Sequence, residues 1–216
     1  FLSYNIYPNN KFKFFSNIPF NITTEILLKV LNLKGIQDIY FIMQYEAFLK
    51  YSGLPYYKEG LRSLLYKPFF ETKIIYKFKA TDFTPVPNAK IILAHFSLKE
   101  KPDISIDNTS LYKDFLAFIF SENGETLKEK SKRIFSYKQL KQATKNIGIP
   151  MTCSITEITY EQWLVLFEIY LKYVPNDKKG NINGSYNQLL NKQKKLKRIH
   201  KNRIQNRKAN RYGKRK

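Results

Sequence analysis

Asn17-Ile18-Pro19-Phe20 is the stretch whose residue types suit a definite chemistry. An exocyclic amine on a nucleobase is a poor nucleophile, because its lone pair is conjugated into the ring. The Asn17 side-chain oxygen and the neighbouring Ile18 backbone carbonyl can accept its two N–H bonds. That orients the amine and favours the positive charge that grows on it as a methyl group arrives. Pro19 restricts the loop and keeps the carbonyl aimed, and Phe20 offers a flat face on which an extruded base can stack. The same residues also suit plain structure: Asn17 as a turn residue, Pro19 as a stiffener, Phe20 as a staple onto the following helix. Four residues alone favour the plainer role.

The flanking elements set the context. Lys11–Phe15 reads as a strand, and Thr24–Leu31 has its apolar pairs 26/27 and 30/31 at helical spacing. The loop therefore stands where a strand hands over to a helix, the place where open α/β sheets bind ligands. Asn21 is expected to cap the helix, which runs to about Leu33 and ends at Gly35. Asp38–Gln44 is an almost continuous apolar run, as in a strand buried on both faces. Helices over Glu46–Tyr51, closed by Gly53 and Pro55, and over Glu59–Tyr66 follow, then strands at Thr72–Phe78 and Ala89–Leu98. Between those strands Thr81–Pro87 is a loop held by two prolines, with Phe83 either presented at the sheet's edge or buried as a hairpin plug.

At Lys99–Asp103 the pattern turns from strands to helices, which places a domain boundary there. Thr109–Ser121 is a helix, and Ser136…Gln139 and Thr159…Gln162 are capping boxes opening two more. Trp163, Phe167, Tyr170 and Leu171 form the apolar stripe of the last one, the core of a small helical unit.

Composition narrows the partner. The 216 residues carry 38 Lys and Arg against 17 Asp and Glu, a formal net charge of +21. Such an excess asks for a polyanion, either nucleic acid or an anionic membrane surface. Residues 176–216 hold 15 of the basic residues and one acid, Asp177. This tail is expected to be disordered or nascently helical when free, and to neutralise phosphates without reading sequence. Part of the lysine content is also what an AT-rich genome would encode. Cys153 is the single cysteine, so no internal disulfide forms, which fits a reducing cytoplasm. No apolar run reaches the length of a membrane span. His95 and His200 lack companions at ligand spacing, so no metal is expected.

Four ordered segments together resemble one family. Phe14–Thr23 resembles the catalytic Asn-Ile/Leu-Pro-Tyr/Phe motif of the Erm-type 23S rRNA adenine N6-methyltransferases, relatives of the small-subunit rRNA adenine dimethylases. Thr81–Pro87 resembles their Phe-X-Pro-X-Pro motif, and Phe135–Gln139 and Glu161–Phe167 resemble helices of their carboxyl-terminal domain. The resemblance implies an α/β fold: the carboxyl-terminal half of a Rossmann-like methyltransferase sheet over residues 1–100, a helical rRNA-binding domain over 101–175 and the basic tail over 176–216. It implies a monomer that transfers methyl groups from S-adenosyl-L-methionine to N6 of an adenine in 23S rRNA, giving macrolide, lincosamide and streptogramin B resistance. Asn17, Ile18, Pro19 and Phe20 would be catalytic, Asn17 would also lie beside the methyl donor, and Phe20 and Phe83 would clamp the flipped adenine. The family's Gly-rich cofactor loop and acidic ribose ligand have no counterpart here, and the chain opens on Phe1 rather than Met, so an amino-terminally truncated enzyme is expected.

Three rivals remain. DNA adenine methyltransferases usually place two prolines after the Asn or Asp, against which Ile18 speaks. The small-subunit dimethylases share the loop, but the Trp163 helix and the basic tail favour the Erm type. A non-catalytic ribosome-associated RNA-binding protein would use only the tail and the helices.

Overall fold

The computed structural model describes residues 11–195. Among these residues four strands form one sheet in the order β1-β2-β4-β3: β1 Phe12–Asn17, β2 Ile36–Gln44, β3 Phe70–Lys77 and β4 Ile91–Leu98. β1 runs parallel to β2, with Asn17 opposite Ile42. β4 is antiparallel to both of its neighbours. Helix α1, Thr23–Val30, makes the crossover that a parallel β1–β2 pair requires. α2 Tyr45–Ser52 and α3 Leu61–Tyr66 link β2 to β3.

The helices cover one face of the sheet. Ile39, Phe41 and Met43 of β2 are fully buried there with Ala94 and Phe96 of β4, and Phe96 meets Phe41 and Phe48 edge to face. Asp38, Tyr40, Ile42 and Gln44, which alternate to the other face, are only half-buried, and Phe15 beside them is 65% exposed. The expectation that β2 is buried on both faces is thus corrected for the described residues. A continuous apolar run does not distinguish a strand covered on two faces from one covered on a single face.

After β4 come helices α4 Thr109–Ser121, α5 Leu127–Ser131, α6 Tyr137–Ile147, α7 Tyr160–Tyr173 and α8 Asn176–Lys179. The Ser136 and Thr159 capping boxes form as read, each hydroxyl accepting from the backbone N–H three residues on. Gly148 closes α6 in the left-handed conformation at φ 70°. Trp163, Phe115, Phe167 and Tyr170 pack ring against ring in the core. That core is continuous from Ile18 beneath the sheet to Ile182. Across the Lys99–Asp103 turn, the Tyr112 hydroxyl donates to the Leu64 carbonyl at 3.1 Å and the Tyr160 hydroxyl to Asp103 at 2.6 Å.

Two expectations change. Asn21 does not cap α1: it lies inside a 3-10 turn, Phe20–Ile22, and α1 starts at Thr23 and ends at Val30. Residues 176–195, expected to be disordered or nascently helical, are ordered. After α8 and a 3-10 turn, residues 185–195 are helical. Ile182 is fully buried, and the Asp114 carboxylate accepts the backbone N–H groups of Gly184 and Tyr186 at 3.0 and 2.9 Å. A buried apolar anchor and a remote carboxylate cap outweigh the local charge. The remainder of the predicted tail, 196–216, and residues 1–10 lie outside the described residues.

Candidate active site

β1 ends at Asn17, and the next residue turns inward. The Ile18 side chain is 1% exposed in the core under the sheet, and its N–H donates to the Ile42 carbonyl at 3.0 Å. Pro19 follows in extended geometry, φ −60° and ψ 130°. Its carbonyl accepts both the Ile22 N–H and the Thr23 hydroxyl, each at 3.2 Å. The loop is therefore tied down behind its functional groups, while those groups stay open. Asn17 is exposed, and neither its side-chain amide nor the Ile18 carbonyl has a hydrogen-bond partner among the described residues. Two acceptors without partners, on a braced loop at the carboxyl end of a strand, suit the capture of an amine. Phe20 heads the 3-10 turn with 44% of its surface exposed.

Phe83 stands at the same end of the sheet. The β3–β4 loop that carries it joins the carboxyl end of β3 to the amino end of β4, where Ile91 faces Gln44 at the end of β2. It hangs from the opposite outer strand, however. Three strand spacings of about 4.8 Å put the ends of β1 and β3 about 14 Å apart. The structure thus gathers Asn17, Ile18, Pro19 and Phe20 at one strand end and sets Phe83 across the sheet from them. Phe83 is half-buried, edge-on to Phe78 at 5.3 Å, and Phe78 meets Tyr76 in the same way at 4.9 Å.

Sequence reasoning missed what surrounds Phe83. A cavity of about 210 Å³ is lined by Phe83 with Phe78, Lys79, Asn88 and Lys90. The Lys90 carbonyl accepts from the Tyr45 N–H at 2.9 Å, which ties this loop to the end of β2. Two lysines beside an aromatic pair at a strand end were a legible signal of an anionic ligand carrying a flat group.

A second polar group lies away from the loop. His95 Nε2 and Asp38 Oδ1 are 2.7 Å apart, the Lys13 ammonium lies 3.1 Å from the other Asp38 oxygen, and the His95 ring stacks on Tyr40 at 4.4 Å. The hydrogen bond from His95, and then that from Lys13, hold the Asp38 carboxyl below the usual carboxylate range. Among the described residues no group of His, Cys, Asp and Glu is placed to hold a metal ion. None of the described helices is long and apolar enough to cross a membrane.

The model of the ribosomal RNA adenine dimethylase family matches residues 1–172. The chain belongs to this family. Its members are enzymes, and its methyltransferases use S-adenosylmethionine. A ribosomal RNA small subunit methyltransferase A from Persephonella marina is 25% identical over 175 residues, which cover 80% of this chain and 63% of that protein. An rRNA adenine N-6-methyltransferase from Bacteroides fragilis is 27% identical over 171 residues, covering 78% and 63%. Another small subunit methyltransferase A, from Ureaplasma urealyticum, is 27% identical over 172 residues, covering 78% and 59%. The chain thus spans about 60% of the length of these curated relatives. Among solved structures, 23S rRNA methyltransferase ErmE shares the fold with a TM-score of 0.71 at 22% identity, over 79% of this chain and 69% of that one. A dimethyladenosine transferase from Plasmodium falciparum shares it with a TM-score of 0.59 at 16% identity, over 80% and 72%.

The open groups at the end of β1 are the Asn17 amide, with an acceptor oxygen and an NH2 donor, and the Ile18 carbonyl, an acceptor. The chain holds no Gly-rich loop for S-adenosylmethionine.

Proposed function

We propose that this protein methylates N6 of an adenine in 23S rRNA, once or twice, and thereby confers resistance to macrolides, lincosamides and streptogramin B. The observation that carries the reading is the pair of acceptors at the end of β1, the Asn17 amide and the Ile18 carbonyl, without partners among the described residues, on a loop braced by Thr23 and Ile42. S-adenosyl-L-methionine supplies an electrophilic methyl group when bound. Asn17 and Ile18 hold the N6 amine by its two N–H bonds, turn its lone pair toward that methyl and stabilise the charge formed on nitrogen. Phe20 stacks on the extruded base. Phe83, across the strand ends, closes on its other face, and Lys79 and Lys90 neutralise the flanking phosphates. The helices of 101–175 and the basic segment after them bind rRNA, and the enzyme works as a cytoplasmic monomer.

A second reading has specific support: two relatives are named as small-subunit rRNA methyltransferases. Small-subunit rRNA is then the substrate of the same loop. The test uses a protein as long as these relatives, given radiolabelled donor and both ribosomal subunits, with primer extension to map the modified base. Label at one 23S adenine that disappears in Phe20→Ala supports the first reading. Label in small-subunit rRNA establishes the second, and label on neither RNA overturns both.

A further inference from the structure

We propose that the groove between α6 and α7 binds an unpaired purine of an RNA strand. The choice of RNA as partner rests on the reading above, while the geometry is independent of the Asn17 loop. α6 carries Lys138, Lys141 and Lys145 and no carboxylate. Lys138, Gln142 and Asn146 follow one another at four-residue spacing, so they stand in one row along the helix. That row lines a groove of about 460 Å³ with Ala143 and Ile169 as its apolar part and Tyr173 of α7 as a wall. Tyr173 is 55% exposed although it is a large aromatic, with the Lys172 ammonium 5.2 Å from its ring centre. An exposed aromatic edged by cations is the usual platform for an unstacked base.

The amides give the groove its selectivity. Gln142 Nε2 donates to Asn146 Oδ1 at 2.9 Å. This leaves the Gln142 oxygen as an acceptor and the Asn146 nitrogen as a donor on the same row, with no partner among the described residues. One acceptor and one donor in the groove are the two groups that the edge of adenine needs, where its N6 amine stands beside a ring nitrogen. The groove is also preformed. Gln139 accepts from the Ser136 N–H at 2.8 Å and donates to the Tyr173 carbonyl at 2.7 Å, tying the start of α6 to the end of α7. Tyr137, exposed and with the Lys128 ammonium 5.7 Å from its ring centre, stands next to Lys138 and offers a platform for a neighbouring base. A membrane surface would satisfy the lysines but would leave the paired amides without a role.

The test is fluorescence anisotropy of the 216-residue chain with labelled oligoadenylate and oligouridylate, with vesicles containing phosphatidylserine as a third probe. The parent should prefer oligoadenylate. Tyr173→Ala should weaken that binding about fivefold to 100-fold, the loss of one stacked base. Gln142→Leu with Asn146→Leu should erase the preference for oligoadenylate while binding of oligouridylate persists. All three side chains are exposed, so thermal melts should match the parent. The proposal is overturned if these variants bind both RNAs as the parent does, or if the chain binds the vesicles and neither RNA. Methyl transfer by Phe20→Ala is scored separately. Its persistence alongside groove variants that lose binding would sink the loop assignment alone, and unaltered groove variants alongside lost transfer would sink the groove alone.

Discussion

Replacing Asn17 with Ala should separate catalysis from folding at one position. The Asn17 side chain is exposed and has no hydrogen-bond partner among the described residues, so its removal orphans no buried group. Stability should therefore change by no more than about 0.5 kcal/mol. The next residue gives the contrast, since Ile18 is 1% exposed and Ile18→Ala would leave a cavity costing about 2–5 kcal/mol. On the rate side, the proposed mechanism makes Asn17 one of two acceptors at the reacting nitrogen. Losing one preorganised partner where charge develops typically lowers kcat by about 10²–10³, or about 2.7–4 kcal/mol. The interaction strengthens as charge develops, so KM for RNA should hardly move. The assay is the initial rate of methyl transfer by a protein as long as the relatives, with thermal melts on the same preparations. A fall in kcat of less than about tenfold would refute the reasoning. So would a loss of stability comparable to that of Ile18→Ala, because either result makes Asn17 an ordinary turn residue.

Other perturbations test the scaffold. Asp114→Ala removes the carboxylate that caps residues 184–186 and should cost the docked helix about 1–2 kcal/mol. Hydrogen exchange should quicken at residues 184–188 while β2 and β4 keep their protection, and unchanged exchange would show the cap to be idle. Trp163→Ala, at a fully buried position between Phe115 and Phe120, should lower unfolding stability by about 3–5 kcal/mol in a denaturant titration. Asp38 has its pKa lowered in the folded state, first by His95 and then by Lys13, so it binds a proton less readily there than in the unfolded chain. Its contribution is then present above the unfolded pKa of about 3.9 and lost as pH falls through the lowered folded value. Asp38→Asn should accordingly flatten the acid limb of the stability profile below about pH 4, and a parallel limb would rule the pair out as its source.

The parts of the fold legible in the sequence were those whose signals are local. The Ser136 and Thr159 boxes were readable because cap and partner lie three residues apart, and Gly148 because a left-handed terminus calls for glycine. The start of α1 was misread for the converse reason. Asn21 has the right side chain, but the Thr23 hydroxyl bonds back to the Pro19 carbonyl and the intervening turn becomes 3-10. Features joined over long separations left no trace: Asp114 with Gly184 and His95 with Asp38. The docking of 176–195 was hidden in the same way. Its charge is visible in the sequence, while Ile182 is one apolar residue whose pocket is built by elements far away in the chain.

Ile18 shows why the candidate loop can be both rigid and chemically open. In an extended chain successive side chains point to opposite sides, so an apolar residue at 18 drives inward while Asn17 faces out. The inward side chain joins the same continuous core that holds Phe115 and Trp163. Packing of that core, together with one ladder bond to Ile42 and the Thr23 brace behind Pro19, sets the direction of the loop. None of these restraints uses the Asn17 amide or the Ile18 carbonyl. A loop held instead by its own polar groups would present acceptors already saturated and unable to gain strength as charge grows on a bound amine. Placing the restraint in the apolar core leaves both acceptors open, as the proposed capture of an amine requires. It also makes the helices behind the sheet part of what sets the direction of the loop.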